Sequence, residues 1–337
     1  MCSPDLDSKN EDFEKIGTRF HSWVRDNLER LDLQNNDNGA YEDFINIKFK
    51  FFLTAYKRVL VAGQKFHDKL PHVYYIRHWG IANSLSYPLL LAPLNINDNE
   101  EDINTKINLV ARYIETFVVR RSVNFRKFAS SSIRYTMYTL VKEIRNKNIP
   151  ELKSILLKKL SEMDETMEGV LNFRLHGQNY IFVKFLLSRM TSFIEQKTGM
   201  NSSFDKYYYN TDGKPFEVEH IWADDFDQFR DEFEQISEFQ DYRNRFGGLL
   251  LLPRGTNQSF GKIPYSRKLP HYLKENLLAQ TLCEATYDNN PNLRTMMAQL
   301  EIPFKPHPEF KKRDLNSRQY LYKVICEEIW SIEKFIN

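Results

Sequence analysis

The chain has 337 residues, 42% apolar and 27% charged, with 25 Phe, 18 Tyr and 4 Trp, which excludes wholesale disorder and supplies the core of one large or two ordinary domains. Only 12 Gly and 13 Pro punctuate it, too few for the frequent tight turns of a barrel or sandwich, so a helix-rich protein is expected. Lys and Arg number 47 against 45 Asp and Glu, a net charge of +2 that by itself suggests no nucleic-acid partner.

Cys2, Cys283 and Cys326 are too few and too scattered for a disulfide framework or a thiolate zinc site, and fit a reducing compartment. The polar, acidic start from Met1 to Glu11 lacks an apolar signal core, and the longest apolar run, Leu249 to Pro253, is far too short to span a bilayer. A cytoplasmic protein is the expectation.

In chain order, Phe13, Ile16, Phe20, Trp23, Val24, Leu28 and Leu31 recur at helical spacing, as do Phe44, Ile47, Phe51 and Phe52 between Asp43 and Val61. Ile103 to Ile144 reads as a long helical or twice-broken stretch, and Ile149-Pro150 breaks it. Leu152 to Met163 and Tyr180 to Glu195 read as amphipathic helices. The turn-rich stretch Thr198 to Pro215, with Gly199, Asn201, Asn210 and Gly213, is the expected boundary between a helical domain, 1–198, and a second domain, 199–337.

Beyond it the period changes. Phe216, Val218 and Ile221 predict a strand, and Phe226, Phe229, Phe233, Ile236 and Phe239 predict a helix with an acidic outer face. Leu249 to Leu252 after Gly247-Gly248 predict a second strand, Arg254 to Pro264 a loop, Ser266 to Ala285 a helix bent near Pro270, and Ser317 to Phe335 a final helix. Charge is segregated here: ten acidic residues lie between Glu217 and Asp241 against one basic, Arg230, whereas seven basic and no acidic residues lie between Arg243 and Lys274.

Glu219-His220 at a strand end and Asn257 after the next strand have the makings of a phosphodiester-hydrolysing site. An imidazole titrates near neutrality and suits a base for water. Glu219 and Asn257 offer the hard oxygens that Mg²⁺ or Mn²⁺ prefers, with Asp224 and Asp225 as competitors for the carboxylate. Arg254, Lys262, Arg267 and Lys268 suit contacts to DNA phosphates.

The strings Val218-Glu219-His220-Ile221, Arg243-Asn244-Arg245-Phe246-Gly247-Gly248-Leu249-Leu250-Leu251-Leu252-Pro253 and Asn257-Gln258-Ser259-Phe260-Gly261, with Pro264-Tyr265, Lys268 and Tyr272, resemble the HNH-type nuclease domain of GmrSD-like modification-dependent restriction proteins. The resemblance covers roughly 216–272, and Val118-Val119-Arg120-Arg121 resembles more loosely the family's preceding helices. It implies a mainly α protein, a helical array followed by a small ββα-metal core embedded in helices. It also implies His220 as general base, Asn257 and Glu219 at one Mg²⁺ or Mn²⁺, and Lys268 with Tyr272 at the substrate phosphate. DNA is the implied substrate, and antiphage restriction in a prokaryotic cytoplasm the implied role.

Many members have Asn where this chain has Gly248 and Pro where it has Ala223; Asn244 offers a substitute for the loop-bracing amide. The Asp-Gly-Gln-Gln-Arg signature of the family's NTP-handling module does not occur in these 337 residues, so that module is expected on a separate chain or in a preceding portion. A binding or scaffold subunit with a decayed site, or an HNH-type RNase, stays open as an alternative.

Overall fold

The computed structural model describes residues 15, 18–31, 33, 38–209, 213 and 215–331. Cys2, Phe13, Ile16, Asn210 and the end of the expected final helix at Phe335 lie outside them. Two compact units form: one from the described residues up to Val118 together with Lys127–Met163, the other from Val119–Arg126 and from Asp164 onward. The expected boundary near residue 198 thus falls inside the second unit.

The first unit is helical. It contains α1 (Phe20–Asp26), α2 (Asn38–Asp43), a π-helical stretch Phe44–Phe49 running into α3 (Lys50–Gln64), α4 (Pro71–His78), α5 (Asn83–Leu91), most of α6 (Glu100–Val123), α7 (Ser130–Ile144) and α8 (Ile149–Ser161). Pro150 does not merely end the preceding helix. Asn148 caps α8, its side chain accepting from Glu151 N at 2.9 Å while Glu151 reaches back to Asn148 N, and proline is favoured in that first turn.

The second unit is built around α9 (Tyr180–Lys197), which buries residues on nearly every side, from Phe182 and Phe185 to Ile194 and Glu195. A helix surrounded in this way is a core element, not a surface one. It packs against β1 (Phe216–His220), β2 (Leu249–Pro253) and the last helix. The segment expected to be a linker holds α10 (Phe204–Tyr208), pinned because the buried Glu195 carboxylate accepts from Tyr207 OH at 2.7 Å and Ser202 Oγ at 2.6 Å.

β1 and β2 pair antiparallel, with His220 opposite Leu249 and Phe216 opposite Pro253. Leu249 to Leu252 are fully buried, as a strand covered on both faces requires. Two elements differ from expectation. The acidic stretch holds only a 3-10 turn, Phe226–Phe229, and a short α11 (Ile236–Arg243); its rings gather on the buried Trp222, stacked on Phe239 at 6.0 Å, instead of following one helix. The expected loop after β2 is α12 (Arg254–Phe260), which packs on both strands.

Beyond it come α13 (Tyr265–Tyr272), α14 (Leu277–Gln280), α15 (Glu284–Asn289), α16 (Pro291–Leu300) and α17 (Lys312–Trp330). The turn Phe246–Gly248 lies directly on α17, and a Cβ on Gly247 would sit 2.3 Å from Gln319 N. Only glycine permits that approach. Among the described residues, no helix is long and apolar enough to cross a membrane.

Candidate active site

His220 ends β1, and α11 delivers Asn244 to it: His220 Nε2 and Asn244 Oδ1 are 2.9 Å apart. The amide's orientation follows from its other end, where Asn244 Nδ2 donates to Gln240 O at 2.9 Å. Because Oδ1 can only accept, Nε2 carries the proton and Nδ1 carries the lone pair. Burial first, and then the Arg243 guanidinium, push the imidazole down to about 4, with Asn244 and Asp224 pulling the other way. The ring is therefore neutral at pH 7 and able to take a proton.

Glu219 points to the opposite face of the strand, as alternation requires. Its Oε1 lies 2.6 Å from Lys268 Nζ, and the same ammonium donates to His220 O at 3.0 Å. Both side chains are buried, at 7% and 2% exposure. Burial raises the Glu219 pKa and lowers that of Lys268, each opposed by the other's charge. Tyr272, one helical turn from Lys268, is fully buried with no hydrogen-bond partner for its hydroxyl among the described residues. Neither Lys268 nor Tyr272 presents a polar group to solvent, so the phosphate contacts expected of them have no open surface here; both act within the core beneath the strand end.

Asn257 lies partly exposed in α12, whose Phe260 ring packs on Tyr272 at 5.8 Å. Lys262 and Arg267 are exposed. Arg254 is exposed too, but its Nε bonds Glu217 Oε1 at 2.7 Å. Neither Arg254 nor Lys268 is thus clear of carboxylates as local sequence suggests, because β1 brings Glu217 and Glu219 across. Asp224 accepts from Gln240 Nε2 at 2.6 Å, and Asp225 accepts from Gln228 Nε2 at 3.1 Å.

The donor set matches a small hard cation in chemistry. Mg²⁺ takes one or two carboxylates and fills its shell with water and substrate phosphate, and Glu219 and Asn257 are oxygen donors of that kind. Burial keeps the Glu219 pKa raised against the opposing charges of Lys268 and Arg243. No three His, Cys, Asp or Glu side chains form a metal cage among the described residues. An ion would need water and phosphate to complete its shell.

Arg243 is the contributor that sequence reading missed. Its Nε donates to Trp222 O at 3.2 Å, which sets its charge beside His220, Glu219 and Asp224. Its position in the Arg-Asn-Arg string is visible in the sequence, but its neighbours depend on α11 meeting the end of β1.

A neutral imidazole with a fixed tautomer, beside buried acid and base groups at the end of a two-stranded sheet backed by a helix, is able to accept a proton. Residues 136–292 match the family model described as GmrSD restriction endonucleases, C-terminal domain, which supports a restriction-endonuclease domain acting on DNA. No curated protein and no solved structure matches the chain.

Proposed function

We propose that the chain is a divalent-metal-dependent DNA endonuclease of the HNH type, serving an antiphage, modification-dependent restriction system in the cytoplasm. The observation that carries this reading is His220, held by Asn244 with Nδ1 as the proton-accepting nitrogen, inside the stretch similar to a restriction-endonuclease domain.

In this mechanism Nδ1 of His220 takes a proton from the attacking water as the phosphodiester is opened. Asn244 keeps the ring in the productive tautomer, and Lys268, bonded to His220 O and Glu219, keeps the strand end in place. Asn257, with Glu219 once it is released from Lys268, would hold Mg²⁺ or Mn²⁺, whose chemistry there is to stabilise charge on the phosphate and the departing 3′ oxygen. Lys262 and Arg267, with Arg254 after exchange of Glu217 for phosphate, position the DNA backbone. One such site cuts one strand, so nicking or paired double-strand cleavage follows. An NTP-handling module on another chain or portion would be the regulatory partner.

A second reading, a DNA-binding or scaffold subunit with a silent site, draws on the engagement of Glu219 by Lys268. The two separate on matched DNA and RNA strands incubated with Mn²⁺. The proposal expects metal-dependent cleavage of DNA; cleavage of RNA alone makes the chain an RNase, and cleavage of neither favours the silent site.

A further inference from the structure

A second feature of the same unit lies in the turn after α6. Phe125 has a left-handed backbone, φ 54°, and a ring that is 52% exposed. A bulky side chain in that conformation is unusual and concentrates at functional sites. The ring is not loose: it packs on Phe173 at 5.5 Å and on His176 at 5.9 Å, so one aromatic face is presented on a fixed support.

Beside it opens a cleft of about 380 Å³ lined by Arg121, Asn124, Phe125, Arg126, Asp164 and Glu165. Two arginines against two carboxylates leave no net charge, and Arg121 is bonded to Glu165 at 2.9 Å, so the interior does not suit a phosphate. The amide nitrogen of Asn124 donates to the carbonyls of Arg120 and Thr166, which leaves Oδ1 as the atom it can offer. Together with the exposed Asp164, the cleft presents acceptors next to an aromatic face.

The cleft is also tied to the His220 site. Leu175 N donates to Asn244 O at 2.8 Å, Arg174 and Arg245 form an antiparallel bridge, and Phe246 N donates to Phe173 O at 3.1 Å. One backbone ribbon therefore carries Asn244, which holds His220, and the residues that support Phe125. The half-exposed Arg174 side chain, beside Asp241 at 3.3 Å, and Arg245 flat over Tyr242 at 3.9 Å lie along that ribbon as cationic groups suited to a phosphate track.

We infer that this cleft is a nucleobase pocket: an unstacked, amino-bearing base of the DNA lies on Phe125, with its exocyclic amino group toward Asn124 Oδ1 and Asp164. Aromatic faces stack any base, and carboxylate and amide oxygens read the amino groups of cytosine and adenine. The inference rests on the DNA reading above and adds a subsite that the hydrolytic step does not require.

The test uses the full chain in EDTA, so that nothing is cut, and fluorescence anisotropy with short duplexes bearing one bulged nucleotide. Wild type is expected to bind a bulged cytosine about tenfold more tightly than a bulged abasic residue. Phe125→Ala, with a circular dichroism spectrum like that of wild type, is expected to bind both alike, and Phe125→Trp to keep the preference. Equal discrimination in wild type and Phe125→Ala, or none in a wild type that binds both duplexes, overturns the pocket alone. A wild type that binds neither duplex overturns the nuclease reading and the pocket with it.

Discussion

His220 and Asn244 are 24 positions apart in sequence and 2.9 Å apart in the fold. Their bond decides which imidazole nitrogen is the base, so Asn244 is a positioning residue whose loss has a defined signature. Asn244→Ala frees the ring to sample both tautomers and is expected to lower kcat by about 10- to 100-fold with little change in KM, the usual cost of removing a partner that orients an imidazole. Asn244→Asp supplies an anion instead, raises the His220 pKa from about 4 and should move the acid limb of the rate profile to higher pH. Rate profiles of the three proteins from acid to neutral pH check this; an unmoved limb in Asn244→Asp contradicts the assignment. His220 is legible in the sequence from its neighbours, and Asn244 only as a spare amide, because the contact is made by an element junction and not by spacing. Glu219 is legible as a carboxylate but not as Lys268's partner, 49 positions away.

At the scale of elements, α17 is the platform on which the turn before β2 rests. Gly247 N donates to Gln319 Oε1 at 2.5 Å, Gln319 in turn donates to the carbonyls of Val170 and Phe173, and Tyr322 OH donates to Leu249 O at 2.7 Å. Gly247→Ala forces the turn off this helix and is expected to cost about 1–3 kcal/mol. A Cβ on Gly248 meets the Leu315 side chain at 3.3 Å and Arg243 O at an ordinary 3.5 Å, so Gly248→Ala should cost clearly less. Paired denaturant titrations of the two variants decide the order, and equal losses contradict the role given to α17.

The elements were unevenly readable. Alternation and the leucine run located both strands. The acidic stretch misled because the spacing of Phe226, Phe229, Phe233 and Phe239 fits a helix, while the chain instead packs Phe229, Phe233 and Phe239 on Trp222 and Phe226 on Phe239. Its carboxylates meanwhile serve α17: Glu232 accepts from Lys312 N at 2.9 Å, and Asp231 and Glu238 pair with Lys311 and Lys312, placing negative charge at a helix start. α12 was missed for the opposite reason. Gly255, Thr256, Asn257 and Ser259 are poor helix formers, and packing on the two strands overrides that preference.

For the whole molecule, the partly buried His220 and the buried His307 make stability depend on pH. His220 and His307 are both pushed down to about 4, by burial first and then by Arg243 and Arg318 respectively. An unfolded histidine titrates near 6.5, so the neutral native forms contribute fully above that pH. As the pH falls from about 6.5 toward 4, the unfolded chain takes up protons that the native state refuses, and stability drops by roughly 1.4 kcal/mol per pH unit for each histidine. His307, which bonds Asp314 at 3.1 Å, has no part in the proposed chemistry. His307→Gln should therefore flatten the dependence of unfolding free energy on pH across that window, and an unchanged slope contradicts it.

The division into units was the least readable feature. A turn-rich segment at 198–215 suggests a boundary, but boundaries follow burial, and α9 buries nearly its whole surface among β1, β2 and α17, as no local pattern announces. The central claim is that this second unit cleaves DNA through His220. A supercoiled-plasmid assay at low salt, with Mg²⁺ or Mn²⁺ and with EDTA, compares wild type with His220→Ala at matched concentration. The account expects metal-dependent nicking or linearisation by wild type that the variant loses; equal cleavage by both proteins, or none by wild type, would contradict it.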